Sequence, residues 1–393
     1  MTRRAVTLLA FTVAVSVLPR PARAQQTVTG VLNFLLTNQS VTTGSVERDQ
    51  AAAQATTDTI SRALLANIAT LPVPTSSSAF AYRLNPELGT VERATDTFGP
   101  FFVERAQTAA RGQASAGVTF QHLHFTQLDG NDLRSGTFVT TANRFTDETA
   151  PFDVDTLTMN IDASIATLYG NVGVTDRLEL GVAAPFVRLA VDGSRVDTYR
   201  GRAFTQATAS AAAEGLADIV ARAKYLLYHE DGDGVAAAVD VRLPTGREAD
   251  LLGAGTMSMK FSGIGSIERG PVAAHGNAGV SVGGLANEFS YSGAVEFAAT
   301  PRATIIGELI GRTIDSAGHI VQVTAPNPAI AGVQTIRLAP DTSMLHMLTL
   351  VPGFKWNLST TWILAANVSI PLSSEGLTAP FTPFIGLDYT LGR

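Results

Sequence analysis

The chain has 393 residues, a formal net charge of −6, 45% hydrophobic and 16% charged residues, 35 glycines and no cysteine. The acidic balance and the lack of any basic run exclude a nucleic-acid footprint. Without cysteine there is no disulfide framework, no thiolate chemistry and no acyl anchor on an N-terminal cysteine.

At the start, Arg3 and Arg4 precede an uncharged apolar run from Ala5 to Leu18, followed by Pro19, Pro21 and Ala22-Arg23-Ala24. A positive start, an apolar stretch of about 14 residues and an A-x-A site predict a secretory signal peptide over residues 1–24, cleaved after Ala24. No later run reaches the ~18 apolar residues of a spanning helix. Two soluble domains would fit the remaining length. The apolar residues, however, are spread by alternation rather than gathered in runs, which is the composition of a membrane barrel.

Residues 25–112 read as an N-terminal periplasmic or plug segment. Ile60, Leu64, Leu65 and Ile68 recur at helical spacing within Arg48 to Thr70, and Pro72 and Pro74 end that pattern. Ala79–Leu84 and Thr90–Arg93 flank a turn-forming stretch and predict a small hairpin. Phe98-Gly99-Pro100-Phe101-Phe102 is an aromatic cluster that needs burial, which favours a plug inside the lumen over a periplasmic element or a poorly ordered leader.

Residues 113–393 read as the barrel. The period becomes two, most clearly at Thr156 to Thr167, where Leu157, Met159, Ile161, Ala163 and Ile165 oppose Thr158, Asn160, Asp162 and Ser164. We expect the first set to face lipid and the second the lumen. Strands are predicted at 114–127, 156–174, 178–191, 216–228, 235–243, 256–267, 272–283, 289–298, 302–314, 343–356, 361–372 and 380–391. The fold class is an all-β, transmembrane, antiparallel up-and-down barrel of about 12 strands (roughly 10–14), with a partly helical N-terminal segment. Short turns alternate with the longer connections 128–153, 192–215, 244–255, 284–288, 315–342 and 373–379, as expected for periplasmic turns and extracellular loops. A soluble β-sandwich, the rival architecture, would not need such long strands.

Strand parity predicts a lumen lined by Asp162, Glu179, Asp218, Arg222, Lys224, Asp240, Arg242, Lys260, His275, Glu296, Arg302, Glu308, Arg312 and Asp388, because a charge facing mid-bilayer lipid costs roughly 2–4 kcal/mol. The signs are balanced, so these groups fit either a salt-bridged core or a water-filled path. Tyr169, Phe186, Tyr225, Tyr228, Phe354, Trp356, Trp362, Phe381 and Tyr389 fall near predicted strand ends, as interfacial aromatic girdles do.

Motifs of catalysis are missing from the sequence. His122 and His124 share a strand face but lack a third ligand, so no metal and no other cofactor is predicted. Asp231-Gly232-Asp233-Gly234 lacks the closing acid of a calcium loop and reads as a turn. His346 is the one hint of a barrel hydrolase, and no serine partner for it can be identified.

Gly215-Leu216-Ala217-Asp218-Ile219, Arg222-Ala223-Lys224-Tyr225, Asp240-Val241-Arg242-Leu243-Pro244-Thr245-Gly246, Asp250-Leu251-Leu252-Gly253 and Gly255 resemble a family of bacterial outer-membrane proteins described as transporters of the phenol-degradation meta-pathway type. Tyr169 to Val187 and Asp129-Gly130 are similar to further stretches of that family, and the resemblance runs over about 114 to 393. It implies an outer-membrane channel for small, hydrophobic or aromatic molecules. The alternative is a non-conducting structural or surface-interaction barrel, and a barrel-embedded hydrolase ranks last. Expected partners are outer-membrane lipid, the barrel-assembly machinery and a small solute. The end signal for assembly is displaced, since Tyr389 and Leu391 precede a terminal Gly392-Arg393.

Overall fold

The computed structural model describes residues 27–36, a few helical positions between 58 and 65, the strand pair Tyr82–Asn85 and Thr90–Arg93, and residues 95–391 with breaks at 137, 143–152, 200, 316–318, 327–333, 342 and 360. Most of the helix expected over Arg48 to Thr70 lies outside the described residues.

Twelve long strands carry the fold. They are β1 (Ala114–Phe125), β2 (Asp153–Gly173), β3 (Leu178–Tyr199), β4 (Ile219–Glu230), β5 (Asp233–Leu243) and β6 (Ser258–Arg269), then β7 (Val272–Gly283), β8 (Glu288–Thr300), β9 (Ala303–Ile314), β10 (Leu345–Ser359), β11 (Trp362–Pro371) and β12 (Thr382–Leu391). Each pairs antiparallel with the next in this series, and β12 pairs back onto β1 from Phe384↔Gln121 to Leu391↔Ala114. The closed ladder satisfies backbone N–H and C=O groups internally, the condition for a strand to cross hydrocarbon. The Asp231-Gly232 turn between β4 and β5 has φ of 45° and 87°, the left-handed pair of a tight hairpin turn.

On the outer face, Val118, Phe120, Leu168, Val182, Tyr225, Val235, Phe261, Val280, Phe289, Val295, Ile305, Phe354, Trp356 and Ile385 are all exposed. An apolar belt on every wall strand far exceeds the patches a water-exposed surface carries. It marks the lipid-facing zone of a transmembrane barrel.

The wall is higher on one side. β2 pairs with β3 along its whole length of 21 residues, while β1 reaches only its 161–172 half. Above that, a strand at Phe138–Ala142 flanks β2, and another at Arg202–Leu216 flanks the upper half of β3.

Polarity changes sides part-way up this raised wall. Near the tight-turn end of β2, Leu168 and Val172 are exposed outside, and Thr167, Tyr169 and Asn171 are buried inside. Farther up, Thr158, Asn160, Asp162 and Ser164 lie on the outer face, while Leu157, Met159, Ile161, Ala163 and Ile165 are buried in the interior. β3 does the same: Leu180, Val182 and Phe186 are exposed outside, then Arg188 and Asp192, with Val187, Leu189 and Val191 buried. The alternation is unbroken; its surroundings change. Beyond the lipid, water lies outside the wall and a dry core inside it. The expectation that Leu157 to Ile165 face lipid and that Asp162 lines the lumen is therefore corrected. Tyr169, expected in an aromatic girdle, also points inward.

The raised interior is filled by α1 (Val28–Leu36), whose Val28, Val31, Leu32 and Leu35 are fully buried at i, i+3, i+4 and i+7. Ala207, Ala209, Ala211 and Ala213 alternate along the inner face of the Arg202–Leu216 strand and pack in the same cluster as the helix. At Gly193 a Cβ would sit 2.8 Å from Leu35 Cδ1, so the helix needs the glycine there. Arg195 Nη1 donates to the Leu35 carbonyl at 3.2 Å, satisfying a terminal helix acceptor. A loop was expected over 192–215; the chain forms strand there instead. Alanine is a weak strand former, and packing against α1 overrides that propensity.

Candidate functional site

Residues 95–112 form a loop that enters the lumen from the tight-turn end. Phe98 packs on Ile363 at the start of β11. Phe101 and Phe102 sit among Ile306, Val351, Ala365 and Phe384, with the Phe384 ring edge-on at 6.2 and 5.3 Å. Ala106 then packs against Ala236, Ala238 and Ile264. Gly112 returns to the tight-turn end, donating to the Gly173 carbonyl at 2.8 Å.

An irregular segment buried in a lumen needs partners for its backbone, and inward side chains of the wall supply them. Glu308 accepts from the amides of Phe101 and Phe102, the latter at 3.0 Å. Lys355 donates to the Pro100 carbonyl at 2.6 Å. Ser266 accepts from the Ala106 amide at 2.7 Å and Glu179 from the Ala109 amide at 2.6 Å.

Glu104 ties the loop to the wall electrostatically. Arg222 and Lys224 are two apart on β4 and so share its inner face. Glu104 pairs with Arg222 and lies 3.3 Å from Lys224 Nζ. Arg222 also forks onto Asp240, at 2.5 and 2.8 Å, and Lys224 lies 3.6 Å from Glu179. Asp240, Arg222, Glu104, Lys224 and Glu179 thus form one chain of alternating charge. Elsewhere Arg312 forks onto Glu288 at 3.1 and 2.6 Å. Tyr169 donates to Asp388 across Gly117, bridging β1, β2 and β12 where the barrel closes.

Phe102 borders two cavities. One, about 110 Å³, is mostly apolar, with Leu123, Phe125, Met347, Val351 and Pro371 in its wall. The other, about 80 Å³, holds Arg222, Asp240, Lys260, Glu288 and a row of serines.

The structure places Glu179, Arg222, Lys224, Asp240, Arg242, Lys260, His275, Glu296, Glu308, Arg312 and Asp388 on inner faces of their strands. Three predicted residues are elsewhere. Asp162 is outside, paired with His124. Arg302 is exposed in the tight turn after β8, one position beyond the strand register that assigned it. Asp218 is fully buried in a loop junction, accepting from the amides of Gly246 at 3.0 Å and Ala254 at 2.8 Å. Parity missed Glu288, Lys355 and Glu104. Lys355 had a signal, since its neighbours Phe354 and Trp356 are outward aromatics; Glu104 had none, because its loop has no period.

The structure also joins a serine and a histidine that the sequence left apart. Ser266 Oγ lies 2.8 Å from His275 Nδ1, and His275 Nε2 lies 2.8 Å from Glu296 Oε1. The His275 and Glu296 side chains have no exposure, and Ser266 already accepts the Ala106 amide. The arrangement grips the loop rather than presenting a nucleophile. His346 is exposed on the outer face beside Thr313, at 3.1 Å, and His122 beside Ser164, at 3.0 Å. Among the described residues no group of side chains has metal-ligand spacing.

Several solved structures are similar to this chain at low identity. An outer-membrane channel from Pseudomonas putida F1 is 13% identical, with a TM-score of 0.46 covering 73% of this chain and 98% of that one. The β domain of the Bordetella autotransporter BrkA is 10% identical, with a TM-score of 0.36 over 71% and 100%. The KdgM porin, in complex with disordered oligogalacturonate, is 6% identical, with a TM-score of 0.36 over 70% and 99%. No curated protein matches the sequence. A family model described as "Putative MetA-pathway of phenol degradation" matches residues 93–369, and the chain belongs to that family.

Proposed function

We propose that the chain is a passive channel of the bacterial outer membrane for small hydrophobic or aromatic molecules, and that residues 95–112 are its plug. The observation that carries this is Glu104 seated between Arg222 and Lys224. A wall built only to be filled would bury apolar side chains at that height; ionic groups facing a loop can instead be re-solvated when the loop leaves. Phe101, Phe102 and the apolar cavity above them support the solute class. In this reading the leader is removed after Ala24 and the barrel-assembly machinery inserts the chain with its tight turns in the periplasm.

A non-conducting structural barrel is the second reading, favoured by the number of wall side chains spent on the loop. Permeation assays on proteoliposomes separate the two. Faster entry of small aromatic solutes than into protein-free liposomes supports the channel; equal rates support the structural barrel. No catalytic step enters either reading.

A further inference from the structure

The two cavities beside Phe102 also share Ile310 and Arg312 in their walls, so they adjoin along that line. They differ in chemistry: one is apolar, the other contains hydroxyls and charge. Three acids (Glu104, Asp240, Glu288) and three bases (Arg222, Lys260, Arg312) line the polar cavity, but their close pairing is uneven. Asp240 gives both oxygens to Arg222, and Glu288 gives both to Arg312. Glu104 is divided between Arg222 and Lys224.

Lys260 remains. It lines the polar cavity within the fields of the acids Glu288 and Asp240 and of the cations Arg222 and Arg312, but makes no ion pair with any described residue. Ser262, Ser290 and Ser292 line the same cavity, and Ser290 donates to the Gly279 carbonyl at 3.4 Å. Its stem passes over Gly279, where a Cβ would come 3.0 Å from Lys260 Cε and 2.7 Å from Ser262 Oγ. An ammonium without a close counter-ion, sharing its cavity with the Ser262 and Ser292 hydroxyls, is a seat for an anion. One such cation suits a monoanion. The adjoining apolar cavity approaches the ~150 Å³ size known to admit a benzene ring.

We propose that the paired cavities bind a small organic monoanion, its carboxylate on Lys260 and its apolar body, about one aromatic ring in size, against Phe102 and Ile310. This rests on the channel reading for its biological use, since it names the solute class the lumen selects. The binding itself is independent of conduction, so the two fail separately.

The test is fluorine NMR on the full chain in detergent micelles, with protein-free micelles as the blank. The probes are 4-fluorobenzoate and its neutral counterpart 4-fluorobenzyl alcohol. The proposal expects the acid to bind the wild type at least about ten-fold more tightly than the alcohol, an ordinary gain for a charge-assisted contact. Lys260→Met should remove that preference, and Lys260→Arg should keep most of it. Equal binding of acid and alcohol to the wild type, or no binding of the acid, overturns the proposal without any variant. Acid binding unchanged in folded Lys260→Met overturns the assignment to Lys260.

Discussion

The Glu104 carboxylate lies 3.3 Å from the ammonium of Lys224, a fully buried residue whose other carboxylate neighbour, Glu179, is 3.6 Å away. One partner belongs to the wall and stays; the other belongs to the inserted loop. A buried pair is close to break-even because desolvation offsets attraction, while removing one partner costs roughly 3–5 kcal/mol. The loop's seat is therefore sensitive to single charges. Hydrophobic contacts of Phe98, Phe101 and Ala106 add affinity without adding that sensitivity.

Asp218 accounts for much of the motif that resembles the family. Its carboxylate joins the end of the Arg202–Leu216 strand to the loop between β5 and β6. Asp218→Asn turns one acceptor toward an amide as a donor, which should cost about 1–3 kcal/mol. Gly253→Ala should also destabilise, since a Cβ there would stand 2.3 Å from Asp218 Oδ1 and 2.7 Å from Gly246 Cα. Both should lose the compact gel mobility of the folded barrel at lower temperature than the wild type. Unchanged temperatures would deny the latch.

A second latch depends on pH. Asp129 accepts from His319 Nδ1 at 2.8 Å, the Ile320 amide at 2.9 Å and the Gly376 amide at 2.8 Å, drawing two connections onto the start of one strand. Burial pulls the His319 pKa down, but hydrogen bonds to Asp129 and the Met344 carbonyl outweigh it, and the net shift is upward. A raised folded value means this contribution is complete below the unfolded pKa of about 6.5 and is lost as pH rises through the folded value. His319 opens a strand, His319–Pro326, that pairs antiparallel with Gln334–Asp341 where the sequence predicts a loop over 315–342. Protease sensitivity of this strand pair should increase above neutral pH, and His319→Gln should remove that dependence. A flat profile in the wild type would show that the His319–Asp129 contact does not hold the strand pair.

The change of face along β2 is open to chemical labelling. The chain has no cysteine, so an introduced one is unique. In intact cells a membrane-impermeant maleimide should label Asp162→Cys readily and Leu168→Cys poorly, because the first lies on the wetted outer wall and the second in the apolar belt. Equal labelling would place both at the same depth and remove the raised wall.

Strand positions were legible because lipid and lumen impose a period of two, and Arg222 and Lys224 between Ala221, Ala223 and Tyr225 show it plainly. Which side of a strand is wet was not. From Leu157 to Val172 the parity never slips, and nothing in a period of two marks the height where lipid gives way to water near Ile165. Ser266 and His275 meet through the register of β6 on β7, a relation between distant segments. Glu104 lies in a loop without periodicity. The motifs of the resemblance begin near residue 114, whereas the family match starts at 93 and takes in the whole loop, so the loop belongs to the family's shared unit.

The most direct test of the plug is single-channel recording of the wild type against Glu104→Lys in a planar bilayer, with folding confirmed by gel mobility. Placing a third cation beside Arg222 and Lys224 should drive the loop out. The wild type should open rarely and briefly, and Glu104→Lys should hold a larger, long-lived conductance, with open probability at least about ten-fold higher for each 1.4 kcal/mol of lost docking. Identical traces from the two folded proteins would contradict the claim that this loop closes the lumen.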